Sequence, residues 1–246
     1  MNCLPIKPSP TRIKERVLPV AVLTLLISPA TTLLAQSPGQ LYALGVNMGI
    51  ASYQISAVRD GTNLPYVKAA WNETAASVYA ASNTKNAIDT SAGGLFLSGS
   101  YNLEKLATNL VEYANQGHDF AEYKQQGLKG VNTIESLRTG YSKQLTSRGI
   151  PTLLQAYLLG VNLGIAEGQA TSNNDWARTI IAKSLDNATG QAIALGLDPR
   201  PLRQCRDYIF AANPNGQMNN RYSYSLDEIH GRIISLRSYH QGLLNQ

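Results

Sequence analysis

The stretch Tyr42-Ala43-Leu44-Gly45-Val46-Asn47-Met48-Gly49-Ile50-Ala51 returns, 115 residues later, as Tyr157-Leu158-Leu159-Gly160-Val161-Asn162-Leu163-Gly164-Ile165-Ala166. The same register extends outward without a gap and pairs Gln54 with Gln169, Asp60 with Asp175, Lys68 with Lys183, Asn72 with Asn187 and Thr74 with Thr189. A second echo, Ile134-x-Ser136-Leu137-Arg138 against Ile233-x-Ser235-Leu236-Arg237, is offset by 99 residues. The second unit is therefore 16 residues shorter, and the difference falls between the two echoes. This is the pattern of one ancestral unit used twice, with the first unit over about 40–148 and the second over about 152–246.

The segments flanking these echoes read as helices, with little that reads as strand. Expected helices cover about 40–57, 65–81, 103–114, 132–147, 152–170, 175–195, 200–212 and 226–244. Between the first two, Asp60-Gly61-Thr62-Asn63 is turn chemistry, with Asn63 as a cap and Pro65 in the first turn. Ser91-Ala92-Gly93-Gly94 opens an insertion, Asn115-Gln116-Gly117 ends a helix, and Asn213-Pro214-Asn215-Gly216 separates the last two. The expected fold is all-α: a bundle of about eight helices, two tandem repeat units related by a pseudo-twofold axis, forming a single domain over 36–246.

At 100° per residue Gly45 and Gly49 share one side of the first helix, and Gly160, Gly164 and Gly168 share one side of its copy. Glycine inside a helix costs about 1 kcal/mol relative to alanine, so the repeated pair needs compensation. Close approach of another helix supplies it. The two glycine faces are expected to pack on each other.

Asn47 and Gln54 lie on the opposite side. With Lys68 and Asn72 of the next helix, they recur as Asn162, Gln169, Lys183 and Asn187. Two readings compete for these eight residues. One is a buried amide network that fixes helix register, where each unpaired group would cost about 1–3 kcal/mol. The other is a pair of equivalent pockets in which lysine holds an anionic or carbonyl-bearing ligand and the amides orient it. Asp60 and Asp175 read as turn or cap residues. Tyr42 and Tyr157 read as core-edge residues with a hydroxyl near water. Asn72-Glu73-Thr74 and Asn187-Ala188-Thr189 match the glycosylation acceptor pattern, but on helices, which is the wrong context for glycans.

The N-terminus has the layout of a secretory signal peptide. Lys7, Arg12, Lys14 and Arg16 precede an uncharged, mostly aliphatic run from Val17 to Ile27, and Ser28-Pro29 breaks it. Residues 1–35 are the expected leader, with cleavage after Ala35 or Ala30; retention as an anchor is the alternative. No later segment is apolar enough to span a bilayer. The expected location is the periplasm or the exterior of a bacterium. Without the leader the chain carries 17 Lys+Arg against 15 Asp+Glu, a net charge of +2, which makes no case for nucleic acid. Cys3 falls in the leader, so Cys205 has no intramolecular disulfide partner.

Catalytic patterns are thin. Ser82-Asn83-Thr84-Lys85 has the serine-x-x-lysine spacing of penicillin-recognising enzymes, but the supporting lysine-threonine-glycine and serine-aspartate-asparagine elements are missing. His118, His230 and His240 lie near carboxylates without a histidine pair at helical spacing, and read as solvated surface residues rather than metal ligands. Cys205 reads as a buried, inert thiol. Nothing calls for a cofactor or a metal. The expected function is a non-enzymatic, exported helical binding or structural module. The alternative is a small-molecule binder with paired polar pockets, and an unrecognised hydrolase ranks third. The partner would be a protein or a small molecule.

Overall fold

The computed structural model describes residues 36–60, 64–90, 103–116, 120–172, 175–215 and 221–246, with the backbone alone at 58–60, 64–70 and 120. The leader, the cap at Asn63, the insertion at 91–94, His118 and the side chains of Asp60 and Lys68 lie outside the described residues. Every regular element described is a helix: α1 Pro38–Asp60, α2 Leu64–Thr90, α3 Leu103–Asn115, α4 Phe120–Ser147, α5 Pro151–Ala170, α6 Ala177–Ala194, α7 Arg200–Ile209 and α8 Leu226–Leu244. The chain is all-α, as its sequence pattern predicts. No described helix is long and apolar enough to cross a membrane.

Two helices run further than their sequence suggests. Helix α2 continues past Ala81 because nothing from Ser82 to Thr90 breaks it: Lys85 pairs with Asp89 one turn on. The Thr84 and Thr90 hydroxyls donate to the carbonyls of Ala80 and Asn86, both at 2.8 Å, and Ile88 anchors the extension in the core. Helix α4 starts at Phe120 rather than near 132 and passes through Gly130. A Cβ there would run into Ile55 Cδ1, so this glycine marks a close crossing of α1 over α4 rather than a helix end.

The ends have local causes. Gly149 and Gly196 take left-handed φ values of 67° and 72°. Beside Gly196, Leu197 N reaches back to Ala192 O at 2.9 Å, the six-residue closure that terminates α6. Helix α8 opens on a capping box, with Glu228 N donating to Ser225 Oγ at 3.2 Å and Ser225 N donating to Glu228 Oε2 at 2.7 Å.

Among the described residues, helices α1 and α5 make the most extensive interhelical contact. A Cβ on Gly45 would strike the Tyr157 carbonyl oxygen and stand 2.9 Å from Val161 N; one on Gly160 would strike the Tyr42 oxygen and stand 2.9 Å from Val46 N. Gly49 likewise faces the Val161 oxygen, and Gly164 the Val46 oxygen. The glycine hydrogen occupying each Cβ position points at a carbonyl, a weak contact that adds to the close packing. The expected meeting of the glycine faces is what the structure contains.

The apolar residues form two clusters. One gathers α1–α4 around Leu44, Met48, Trp71, Tyr123 and Ile134, and takes Tyr157 and Val161 from α5. The other gathers α5–α8 around Leu159, Leu163, Ile181, Ile209 and Ile233, and takes Tyr42 and Val46 from α1. Each cluster thus takes residues from both α1 and α5.

Candidate functional site

Of the recurring polar residues, Asn47 and Gln54 lie on α1 and Asn162 and Gln169 on α5, while Asn72 lies on α2 and Lys183 and Asn187 on α6. Asn47 and Gln54 are half-buried. Asn47 Nδ2 donates to Thr84 Oγ1 at 3.3 Å, and Gln54 Oε1 accepts from Ser77 Oγ at 2.7 Å. In the second half, Asn162 Nδ2 donates to Leu158 O at 2.9 Å and to Gln191 Oε1 at 3.2 Å, while Asn187 Nδ2 donates to Asn162 Oδ1 at 3.4 Å. Gln169 is half-buried on α5, and Asn72 and Lys183 are exposed.

The structure therefore brings Asn162 and Asn187 together and leaves Lys183 in solvent. The partners of these amides, Thr84, Ser77 and Gln191, are not matched between the halves. Recurrence could not reveal them, because Asn47 and Asn162 bond to different groups. A bonded half-buried amide is worth roughly 0.5–1.5 kcal/mol and sets helix register more than it offers a ligand surface.

A hollow of about 300 Å³ opens beside Asn47, between α1 and α8, with Val46, Arg237, Ser238 and Gln241 in its lining. Arg237 is the polar centre of this region. Its Nη1 donates to both carboxylate oxygens of Glu167, each at 2.8 Å, and the Glu167 side chain is only 12% exposed. Gln241 Nε2 donates to Gly39 O at 3.1 Å and ties α8 to the start of α1. The recurrence of Arg138 and Arg237 marks the position in the sequence; nothing marks Glu167, whose counterpart is Ser52.

The tyrosines depart from expectation. Tyr42 and Tyr157 are fully buried, not at the core edge. The Tyr42 hydroxyl donates to Arg237 O at 3.0 Å and the Tyr157 hydroxyl to Arg138 O at 3.4 Å. Burial pushes both phenols well above their ordinary range. Each hydroxyl finds a backbone carbonyl instead of water, because a helix from the other half covers it. Asp175 lies in the turn before α6 without capping that helix; its carbonyl accepts from Arg178 N and its carboxylate from Arg178 Nε, both at 3.1 Å.

His240 also departs from expectation: it is fully buried, with Nδ1 2.8 Å from Leu236 O and burial lowering its pKa. Cys205 is buried and its thiol is pushed up to about 11 by that burial, against a smaller opposing influence from Arg232. In the serine-x-x-lysine segment, Ser82 is buried and Lys85 is engaged by Asp89. Among the described residues, no three His, Cys, Asp or Glu side chains come together to hold a metal ion.

A further polar anchor holds the far end of the second half. Arg178 is buried, and its Nη1 and Nη2 donate to Ile209 O at 2.7 Å and Tyr224 O at 2.8 Å. Its guanidinium carbon stands 4.1 Å from the Tyr222 ring centroid. This one side chain binds the end of α7 and the segment before α8 to the start of α6. No family model, curated protein or solved structure matches this chain.

Proposed function

We propose that the chain is an exported, non-enzymatic helical binding or structural module, a single domain of two related units packed about a pseudo-twofold axis. The observation that carries the architectural half of this reading is the exchange of contacts at register 115: Gly45 with Tyr157 and Gly160 with Tyr42, Gly49 with Val161 and Gly164 with Val46. Such exchange is the mark of an isologous interface. Interlocked halves give a rigid frame in which the repeated amides serve register. The leader layout supports export to the periplasm or the exterior.

A second reading, a binder of an anionic or carbonyl-bearing small molecule, draws on the hollow beside Asn47 and Arg237. Native mass spectrometry of protein purified from its own compartment, compared with its mass after unfolding, tests both. A heteromeric mass supports a protein-binding module, and a small extra mass lost on unfolding supports the small-molecule reading. Saturable hydrolysis of model esters, abolished by a single substitution, would overturn the non-enzymatic reading.

A further inference from the structure

Helices α7 and α8 line an open groove of about 580 Å³, within the volume range of small-molecule sites. Arg232 stands in its wall. The guanidinium carbon lies 4.1 Å from the Tyr208 ring centroid and 5.1 Å from that of Tyr224, and the two rings are themselves 4.8 Å apart. Two aromatic faces thus hold the cation in place before any ligand arrives, which reduces the ordering cost of binding.

Among the described residues, no carboxylate forms an ion pair with Arg232. Glu228, one turn earlier on α8, also lines the groove and feels the Arg232 charge, but its Oε2 accepts from Ser225 N and Oγ at 2.7 and 3.0 Å. Gln204 and Ser235 add neutral hydrogen-bonding groups to the lining, and Leu236 and the 44%-exposed Tyr239 add apolar surface. Gly231 keeps one wall clear, since a Cβ there would meet nothing within 4 Å.

We propose that this groove binds a small organic carboxylate, its anionic group on the Arg232 guanidinium and its apolar body against Leu236 and Tyr239. A planar fork of donors matches a carboxylate in two-point contact, so the site favours carboxylate over a neutral isostere. The assignment rests on the binding side of the module reading and moves the ligand away from the repeated amides. It involves no covalent step.

The test is a chemical-shift titration of the purified protein with benzoate, benzamide and inorganic phosphate, with unfolding curves recorded for every variant. Benzoate is expected to bind at least about tenfold more tightly than benzamide. Arg232→Gln should reduce that ratio to below about twofold. Gly231→Leu, which fills the groove where there is room, should abolish benzoate binding while leaving the fold intact. Equal binding of benzoate and benzamide, a preference that survives Arg232→Gln, undiminished binding in Gly231→Leu, or binding of phosphate alone would each overturn the proposal. So would the absence of saturable benzoate binding. A protein partner found by native mass spectrometry beside a silent benzoate titration would sink the groove assignment and leave the module reading standing.

Discussion

The Tyr42 hydroxyl, near the start of α1, donates to the Arg237 carbonyl oxygen near the end of α8 at 3.0 Å, a bond spanning 195 residues of chain. Its counterpart, Tyr157 to Arg138, crosses in the opposite sense at 3.4 Å. One bond thus ties α1 to α8 and the other ties α5 to α4. Tyr42→Phe should cost roughly 0.5–1.5 kcal/mol, read as a shift in urea midpoint. Tyr157→Phe, with the longer bond, should cost no more. An unchanged midpoint in Tyr42→Phe would show that the hydroxyl is not a tie.

The glycine contacts predict an asymmetry among glycines that looks arbitrary from composition. Gly45→Ala and Gly160→Ala place a methyl against a backbone carbonyl that has no rotamer to yield, and each should lose about 1–3 kcal/mol. Gly140→Ala and Gly190→Ala, with nothing within 4 Å of the new Cβ, should gain about 0.4–1 kcal/mol. Thermal unfolding of the four variants is the check, at roughly 2–4 °C per kcal/mol for a chain of this size.

Removing Arg237 leaves the Glu167 carboxylate in a site where it is mostly shielded from water. Arg237→Leu should therefore cost more than Glu167→Gln, with about 2–4 kcal/mol expected for the former. The double substitution Glu167→Met with Arg237→Leu should recover part of that loss. Additive losses in a double-mutant cycle would contradict the pairing.

Arg178→Met removes donors from the buried Ile209 carbonyl and the part-buried Tyr224 carbonyl and a cation from the Tyr222 ring, and should cost about 3 kcal/mol. The damage should be local. The amides of Asn213 and Ser223, which bond to Arg221 O and Ala211 O, should lose hydrogen-exchange protection before those of α1 and α5.

His240 sets a pH dependence with a definite sign. Burial holds its folded pKa below the ordinary 6.5, so the unfolded chain takes up a proton first as pH falls. Its stabilising share is complete above about pH 6.5 and is lost progressively below that value, toward the folded pKa. The protonated ring would also bury Nε2–H, for which the described residues offer no acceptor. His240→Leu should flatten the stability profile between about pH 6.5 and 5, where carboxylates contribute little. A slope unchanged by that substitution would assign the pH dependence elsewhere.

Much of this architecture is legible in the residues themselves. The absence of strand patterning gives the all-helical class, and the bounds of α8 and the start of α7 follow from Pro and Gly punctuation and helical spacing. The meeting of α1 with α5 follows from an energetic argument: paired helix glycines must be compensated, and another glycine face is the cheapest partner. Less is legible at the ends of α2 and α4. Polar residues without a breaker look like a stop, yet propagate a helix once Ile88 is buried, and the turns before 132 continue α4 through Gly130, where Ile55 crosses it.

What the sequence by itself determined is local: helical period, breakers, caps, and the identity of the residues common to both halves. What only the tertiary structure decided is which group meets which across the chain. Tyr42 is buried rather than wet because α8 covers it, and Glu167 meets Arg237 across 70 residues. Thr84 and Gln191 complete amides that repetition alone marks, and Arg232 packs on two adjoining rings in a groove. Period and capping depend on neighbours within a few residues, so they are written in the order of the chain. Burial and pairing depend on how distant helices cross, and the same side chain can be solvated or sealed according to a contact more than a hundred residues away.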